Sequence, residues 1–216
     1  MALTGWEPEG PDDHWIDPAP WPATRQTVHD QENLPDITSH GNHHLTWKGE
    51  RDVSYPDPKY SGNDGEVSAI LRPADQPYDL EMSKGGTQLH YLASGASTKG
   101  EFALYRWDFS GRRSGPDPHF HKTVSESFYI LSGTVKLYDG RRWADAKPGD
   151  FLFVPEGGIH GFRNESGEPA SMLLLFAPGA PREGYFEALA EWATTGIEPN
   201  AKERTEFMIR HDNYFI

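Results

Sequence analysis

The stretch His119-Phe120-His121-Lys122-Thr123-Val124-Ser125-Glu126-Ser127-Phe128-Tyr129-Ile130-Leu131-Ser132-Gly133 decides how this chain is read. Two histidines stand two residues apart, a carboxylate follows five residues later, and an alternating apolar run ends at a glycine. Side chains alternate faces along a strand, so His119 and His121 share one face. Glu126 lies at an odd offset from His121 and would fall on the opposite face of a regular strand. It joins the histidines only if a turn or bulge intervenes, and Lys122–Ser125 is the place for one. A second stretch, Gly149-Asp150-Phe151-Leu152-Phe153-Val154-Pro155-Glu156-Gly157-Gly158-Ile159-His160, complements the first. Gly149 opens a strand with Phe151–Val154 as its apolar body, Pro155–Gly158 turns the chain, and His160 begins the return. Asn164 ends that return, where its amide can brace a turn. Three imidazoles and one carboxylate are the donor types that a divalent transition metal takes.

Outward from these stretches, strand signals recur at short intervals: Val67–Leu71, Thr87–Leu92, Glu101–Phe109, Glu126–Leu131, Thr134–Tyr138, Phe151–Val154, His160–Arg163 and Ala170–Phe176. Turn residues separate them, with Asp139-Gly140 a hairpin signal. About eight short strands of this kind predict an all-β protein, an antiparallel barrel or sandwich. By alternation Phe128 and Ile130 share Glu126's face, and Phe162 shares that of His160. On the preceding strand either Tyr105 and Trp107 or Arg106 and Asp108 face inward, and parity alone leaves both open. The period becomes helical from Glu183 to Thr194, through Tyr185, Phe186, Leu189 and Trp192, and Gly196 is a stop signal. A second helix is expected over about Asn200–Met208, both helices covering the barrel.

Residues 1–64 are different. They hold eight of the 18 prolines and no persistent period, yet contain Trp6, Trp15, Trp21 and Trp47. Disordered tails are poor in aromatics, so an irregular arm that packs on the body or on a partner subunit is expected. The expected organisation is therefore an arm over 1–64, a barrel over 65–182 and a helical segment over 183–216.

The 216 residues include no cysteine, which excludes disulfides, thiolate metal sites and cysteine nucleophiles. The net charge is −13, and residues 1–85 carry 16 acidic against 6 basic side chains. Such a balance argues against nucleic acid as a partner. The opening MALTGWEPEG lacks a basic and an apolar region, so no secretory signal is expected. No apolar run of membrane-spanning length occurs, and no membrane partner is expected. A cytoplasmic location follows by default.

The two stretches resemble the paired motifs of the cupin superfamily. The first reads His119-x-His121-x4-Glu126-x6-Gly133. The second reads Gly149-x5-Pro155-x-Gly157-x2-His160-x3-Asn164. The family's leading glycine, six residues before the first histidine, is replaced here by Arg113, with Ser114 and Gly115 nearer. The resemblance covers roughly residues 85–195. It implies a cupin-type β-barrel or jelly roll holding one metal ion (iron, manganese, nickel, cobalt, copper or zinc) on His119, His121, Glu126 and His160. Clustered His40, His43 and His44 lie in a polar loop without strand register, and His14, His29, His90 and His211 show no partner pattern. A three-histidine, one-carboxylate site leaves positions for water, dioxygen or a chelating substrate. Glu126 can also serve as a general base toward a substrate hydroxyl.

The pattern Phe176-Ala177-Pro178-Gly179 followed by Tyr185-Phe186 is similar to small bacterial quercetinase-like cupins. This resemblance implies an oxygenase or dioxygenase acting on a small aromatic or enolisable molecule. Non-oxidative metal chemistry (isomerase, cyclase, lyase or decarboxylase) and non-catalytic small-molecule binding are the alternatives. A homodimer is also expected by resemblance.

Overall fold

The computed structural model describes residues 55–84 and 86–216. The chain divides into two units, Met1–Asp64 and Gly65–Ile216, and the elements below all belong to the second. The expectations on the tryptophans of the arm and on His14, His29, His40, His43 and His44 lie outside the described residues.

Eleven strands and two helices occur among the described residues: β1 (Leu80–Glu81), β2 (Gln88–Ala93), β3 (Ala103–Phe109), β4 (His119–Phe120), β5 (Ser125–Ser132), β6 (Val135–Tyr138), β7 (Trp143–Ala146), β8 (Phe151–Val154), β9 (Gly161–Arg163), β10 (Ala170–Ala177), α1 (Glu183–Thr195), α2 (Ala201–Arg210) and β11 (Tyr214–Phe215). A six-stranded sheet runs β1-β2-β3-β10-β5-β8. A three-stranded sheet runs β7-β6-β9, and β11 pairs with β4. Every pairing is antiparallel. The all-β architecture expected from the strand spacing is the one observed. Among the described residues no helix is long and apolar enough to cross a membrane.

Alternation builds the core. In β3, Ala103, Tyr105, Trp107 and Phe109 are buried while Leu104, Arg106 and Asp108 are less so. This resolves the parity left open by the sequence in favour of Tyr105 and Trp107. In β10, Ala170, Met172, Leu174 and Phe176 point inward. β5 adds Phe128 and Ile130, both fully buried, on the face that carries Glu126. Burying each such Leu, Ile, Met or Phe contributes roughly 1.5–3 kcal/mol. The opposite face of β5 and β8 carries Tyr129, Phe151 and Phe153, which stay exposed.

Turns follow the expected residues. Asp139-Gly140 closes the β6–β7 hairpin: the Asp139 carboxylate accepts from the Arg141 and Arg142 amides at 2.8 and 2.9 Å, and Tyr138 pairs with Trp143. Gly133 has φ 70°, and a Cβ there would stand 2.5 Å from the Pro169 carbonyl oxygen, so only glycine fits. Both helices form where the period changes. Gly196 ends α1 in the left-handed conformation with its N–H bonded to the Trp192 carbonyl. Asn200 and Glu203 form a reciprocal capping box at the start of α2.

One expected strand is absent. Val67–Leu71 is irregular, with Val67, Ile70 and Leu71 exposed. Apolar content alone does not make a strand. The place beside β2 is taken by β1, and Val67–Leu71 pairs with no strand among the described residues.

Candidate metal centre and its cavity

The first motif is not one continuous strand. β4 stops at Phe120, and the chain bends at Lys122 and Thr123 before β5 begins at Ser125. This is the interruption that the odd offset of Glu126 required. Asp212, far along the chain, holds the bend. Its carboxylate accepts from the Lys122 amide at 3.0 Å, the Thr123 amide at 2.9 Å and the Thr123 hydroxyl at 2.7 Å. Those bonds hold the Asp212 carboxyl below the usual range although burial alone would raise it.

The second motif is tied to the first through the backbone. His119 and His160 exchange both N–H···O=C bonds at 2.9 Å, as directly opposed residues of an antiparallel pair do. The Gly157 amide donates to the His121 carbonyl at 2.7 Å. Asn164 is fully buried and braces the next turn as expected, donating to the Glu168 carbonyl and accepting from Ser166. Ser114 pairs with Asn164 across an isolated bridge. Gly115 takes φ 133°, where a Cβ would stand 2.0 Å from the Phe162 carbonyl oxygen. The close approach ahead of the first motif is thus made at Gly115 rather than six residues before His119.

The four residues singled out in the sequence converge. One ligand atom from each of His119, His121, Glu126 and His160 lies within 4.8 Å of the others, and all four residues are buried. Each imidazole is oriented by a backbone carbonyl at Nδ1: Asp117 for His119 at 2.9 Å, Asp212 for His121 at 2.6 Å and Gly158 for His160 at 2.9 Å. A carbonyl only accepts, so Nδ1 carries the proton in each ring and Nε2 is the atom offered inward. The Nε2 atoms of His121 and His160 lie 3.0 and 2.8 Å from the same Glu126 oxygen.

Were both to donate to it, two imidazolium ions would be buried against a single carboxylate. A divalent cation between the four atoms removes that conflict, so the donor set fits a metal ion. Burial, reinforced by the neighbouring His160, pushes His119 down to about 3, so its ring is neutral. Burial acts to raise the Glu126 carboxyl, but the closeness of His121 and His160 outweighs it and holds the group below the usual carboxylate range. For His160, burial acts downward and the Glu126 bond overcomes it, raising its pKa.

The cluster opens into a cavity of about 290 Å³, on which His119 and Glu126 present their side chains. Trp107, Phe162, Phe176 and Phe186 wall it, with Trp107 edge-on to Phe162 at 5.4 Å and to Phe186 at 5.5 Å. The helices close one side through Tyr185, Leu189 and Met208, and Phe215 of β11 closes another. Of these aromatics the sequence indicated Phe162 as inward-facing, left Trp107 as one of two alternatives, and placed Tyr185 and Phe186 on a helix covering the barrel. It did not single out Arg182, Asp212 or Asn213, each of which supports or lines the site. Arg182 follows Pro181 just ahead of α1, and a lone arginine at a helix start carries no spacing signal. His90 and His211 lie outside the cluster. His90 accepts a hydrogen bond from Arg106 at 2.7 Å, and His211 packs its ring at a tilt against Phe207 with centroids 4.5 Å apart.

Residues 106–176 match the family model for the cupin domain. The quercetin 2,3-dioxygenase of Bacillus subtilis (strain 168) is 30% identical over 126 residues, which are 53% of this chain and 35% of that protein. An uncharacterized protein of Aquifex aeolicus (strain VF5) is 36% identical over 61 residues, 28% of this chain and 50% of that one. The matches thus span a third to a half of the length of these curated relatives. Among solved structures, the polyketide cyclase of Streptomyces resistomycificus is 23% identical, with a TM-score of 0.43 over 51% of this chain and 80% of its own.

Proposed function

The chain belongs to the cupin superfamily, and from that premise we propose that it is a metal-dependent dioxygenase acting on a small aromatic or enolisable organic molecule. One observation carries the reading: a buried cluster of three Nδ1-anchored histidines and Glu126 stands at the wall of an aromatic-lined cavity sized for a small molecule. The relative that acts as a quercetin 2,3-dioxygenase supports the oxidative branch. His119, His121, His160 and Glu126 would hold one divalent ion of iron, manganese, nickel, cobalt, copper or zinc. When bound, such an ion supplies Lewis-acid stabilisation of an enolate or phenolate oxygen, and a redox-active one supplies electrons for dioxygen chemistry.

The protein's own contribution is positional and acid–base. Trp107, Phe162 and Phe176 wall the cavity around a planar ring and keep water from it. The three backbone carbonyls fix the imidazoles, so the acceptor atoms need no rearrangement before use. Glu126 lines the cavity, so a carboxylate oxygen not held by the ion can take the proton of a substrate hydroxyl and return it to product. The aromatic wall excludes bulk water from competing for that proton.

The test has two parts. Purified protein is analysed for metal, and protein loaded with each candidate ion is screened on an oxygen electrode with flavonols, catechols and β-diketones. Oxygen uptake with at least one class, lost about 100-fold or more in Glu126→Gln with metal retained, is the expected result. No uptake with any ion and substrate overturns the oxygenase reading. Substrate turnover without oxygen uptake would assign the site to isomerase, cyclase, lyase or decarboxylase chemistry. Absence of bound metal after reconstitution removes the site itself.

A further inference from the structure

Arg182 is 4% exposed, an unusual state for a guanidinium. Nη1 donates to the His211 carbonyl at 2.6 Å and Nη2 to the Asn213 side-chain oxygen at 3.2 Å. Both acceptors are neutral. The group packs over the rings of Tyr185 at 4.5 Å and Phe176 at 5.0 Å. Its Nε has no hydrogen-bond partner, and neither does the indole nitrogen of buried Trp107. Among the described residues no carboxylate makes an ion pair with Arg182. Arg182 and Trp107 line the same cavity as His119 and Glu126. The cavity wall thus carries a buried cation without a counter-ion, and two buried donors without partners lie on its lining residues.

A buried charge without a counter-ion is costly, and so is each buried donor without an acceptor. Burial lowers the Arg182 pKa, but guanidinium stays protonated in proteins. Two acids influence it electrostatically, Glu126 and Asp212. The Asp212 carboxylate is committed to the bend at Lys122 and Thr123. Glu126 would be committed to a metal ion in the same way as the histidines. With that ion in place the cavity is net positive, and what would balance it is a ligand bringing negative charge and hydrogen-bond acceptors.

We infer that the cavity recognises a small planar organic anion, its carboxylate or equivalent anionic oxygens pairing with the Arg182 guanidinium while its other end faces His119 and Glu126. The inference rests on the reading of this cavity as the substrate site and deepens it by naming the charge class of the substrate. Arg182 is then a specificity determinant. A neutral ring of the same shape leaves the guanidinium without a counter-ion and loses the charge-assisted bond.

Benzoate and benzamide, nearly isosteric, separate charge from shape. They are titrated into the full-length zinc-loaded protein by calorimetry, with the Arg182 Nε–H resonance followed by NMR. Benzoate is expected to bind about 10- to 100-fold more tightly than benzamide and to shift that resonance, which benzamide leaves in place. Arg182→Met is expected to abolish the preference and Arg182→Lys to keep part of it. Should Arg182→Met fail to fold, the wild-type Nε–H shift decides alone.

Equal binding of the two probes, or no binding of either, overturns the inference. So does a benzoate preference that leaves the Nε–H resonance unmoved, since benzoate then sits on the zinc. The oxygenase reading fails separately. Benzoate pairing in a protein that consumes no oxygen keeps the anion site and removes the dioxygenase. Oxygen uptake with neutral flavonols but no benzoate preference does the reverse.

Discussion

At the scale of single residues, the buried imidazoles show how position sets protonation. His90, away from the candidate metal centre, gives the clearest test. Burial and the adjacent Arg106 guanidinium lower its pKa below 6.5, and Asp108 opposes this only in part. Arg106 donates to Nε2 of His90, which requires that nitrogen to be unprotonated. Between the ordinary value and the lower folded one, the unfolded chain binds a proton that the folded chain refuses. Stability therefore rises with pH through that window, is fully present above the ordinary value and falls on acidification. Thermal melts of wild type and His90→Gln between about pH 5 and 7 are expected to show a shallower pH slope in the variant. Equal slopes would mean that His90 protonates freely in the fold.

At the scale of elements, the bend between β4 and β5 places Glu126 among the histidines, and its stability depends on Asp212. Asp212→Ala is expected to lose about 1–3 kcal/mol of stability through the orphaned Lys122 and Thr123 amides, and metal affinity about tenfold. Denaturant melts and metal calorimetry measure the two effects, and Asp212→Asn, which keeps an acceptor oxygen, should recover part of both. Unchanged metal affinity in Asp212→Ala would show that the bend holds without its cap. Asp212 itself has φ 58°, a conformation that aspartate adopts more readily than most residues.

The sequence made a good part of this legible. The need for a bend at Lys122–Ser125 followed from the parity of Glu126, and the two helices followed from a change of period and from Gly196. Asp212 was not legible, because no local pattern links it to a histidine 91 residues away. β11 was missed because two residues make no period. β7 was missed because Asp145 interrupts its apolar pattern. Val67–Leu71 was overread because a strand depends on having a partner as well as on its own composition.

At the scale of the molecule, a resident metal would act as a stabiliser, since it binds the fold and not the unfolded chain. With free metal at about 100 times its dissociation constant, the gain is about 2.7 kcal/mol. Chelation is therefore expected to lower the melting temperature by about 5–10 °C, read by calorimetry with and without metal restored. An unchanged transition would show that the cluster holds no ion.

A second property concerns the outer face of the six-stranded sheet, where Phe151 is 63% and Phe153 57% exposed, with Tyr129 facing Phe151 across the ladder. The homodimer expected from resemblance would have this apolar face available to a second copy. Phe151→Ser with Phe153→Ser is expected to leave the fold's stability within about 0.5 kcal/mol per site, because neither ring is in the core. Sedimentation velocity should show the pair shifting the mass toward monomer. A homodimer that persists in the double variant would place its interface elsewhere.

The long reach from Asp212 to His121 also sets an order of events during synthesis. All four candidate ligands have been translated once His160 has emerged, but the carbonyl that fixes the His121 tautomer arrives only with the segment after α2. An ion held by the four residues would therefore meet an oriented set of donors only after the barrel strands are made.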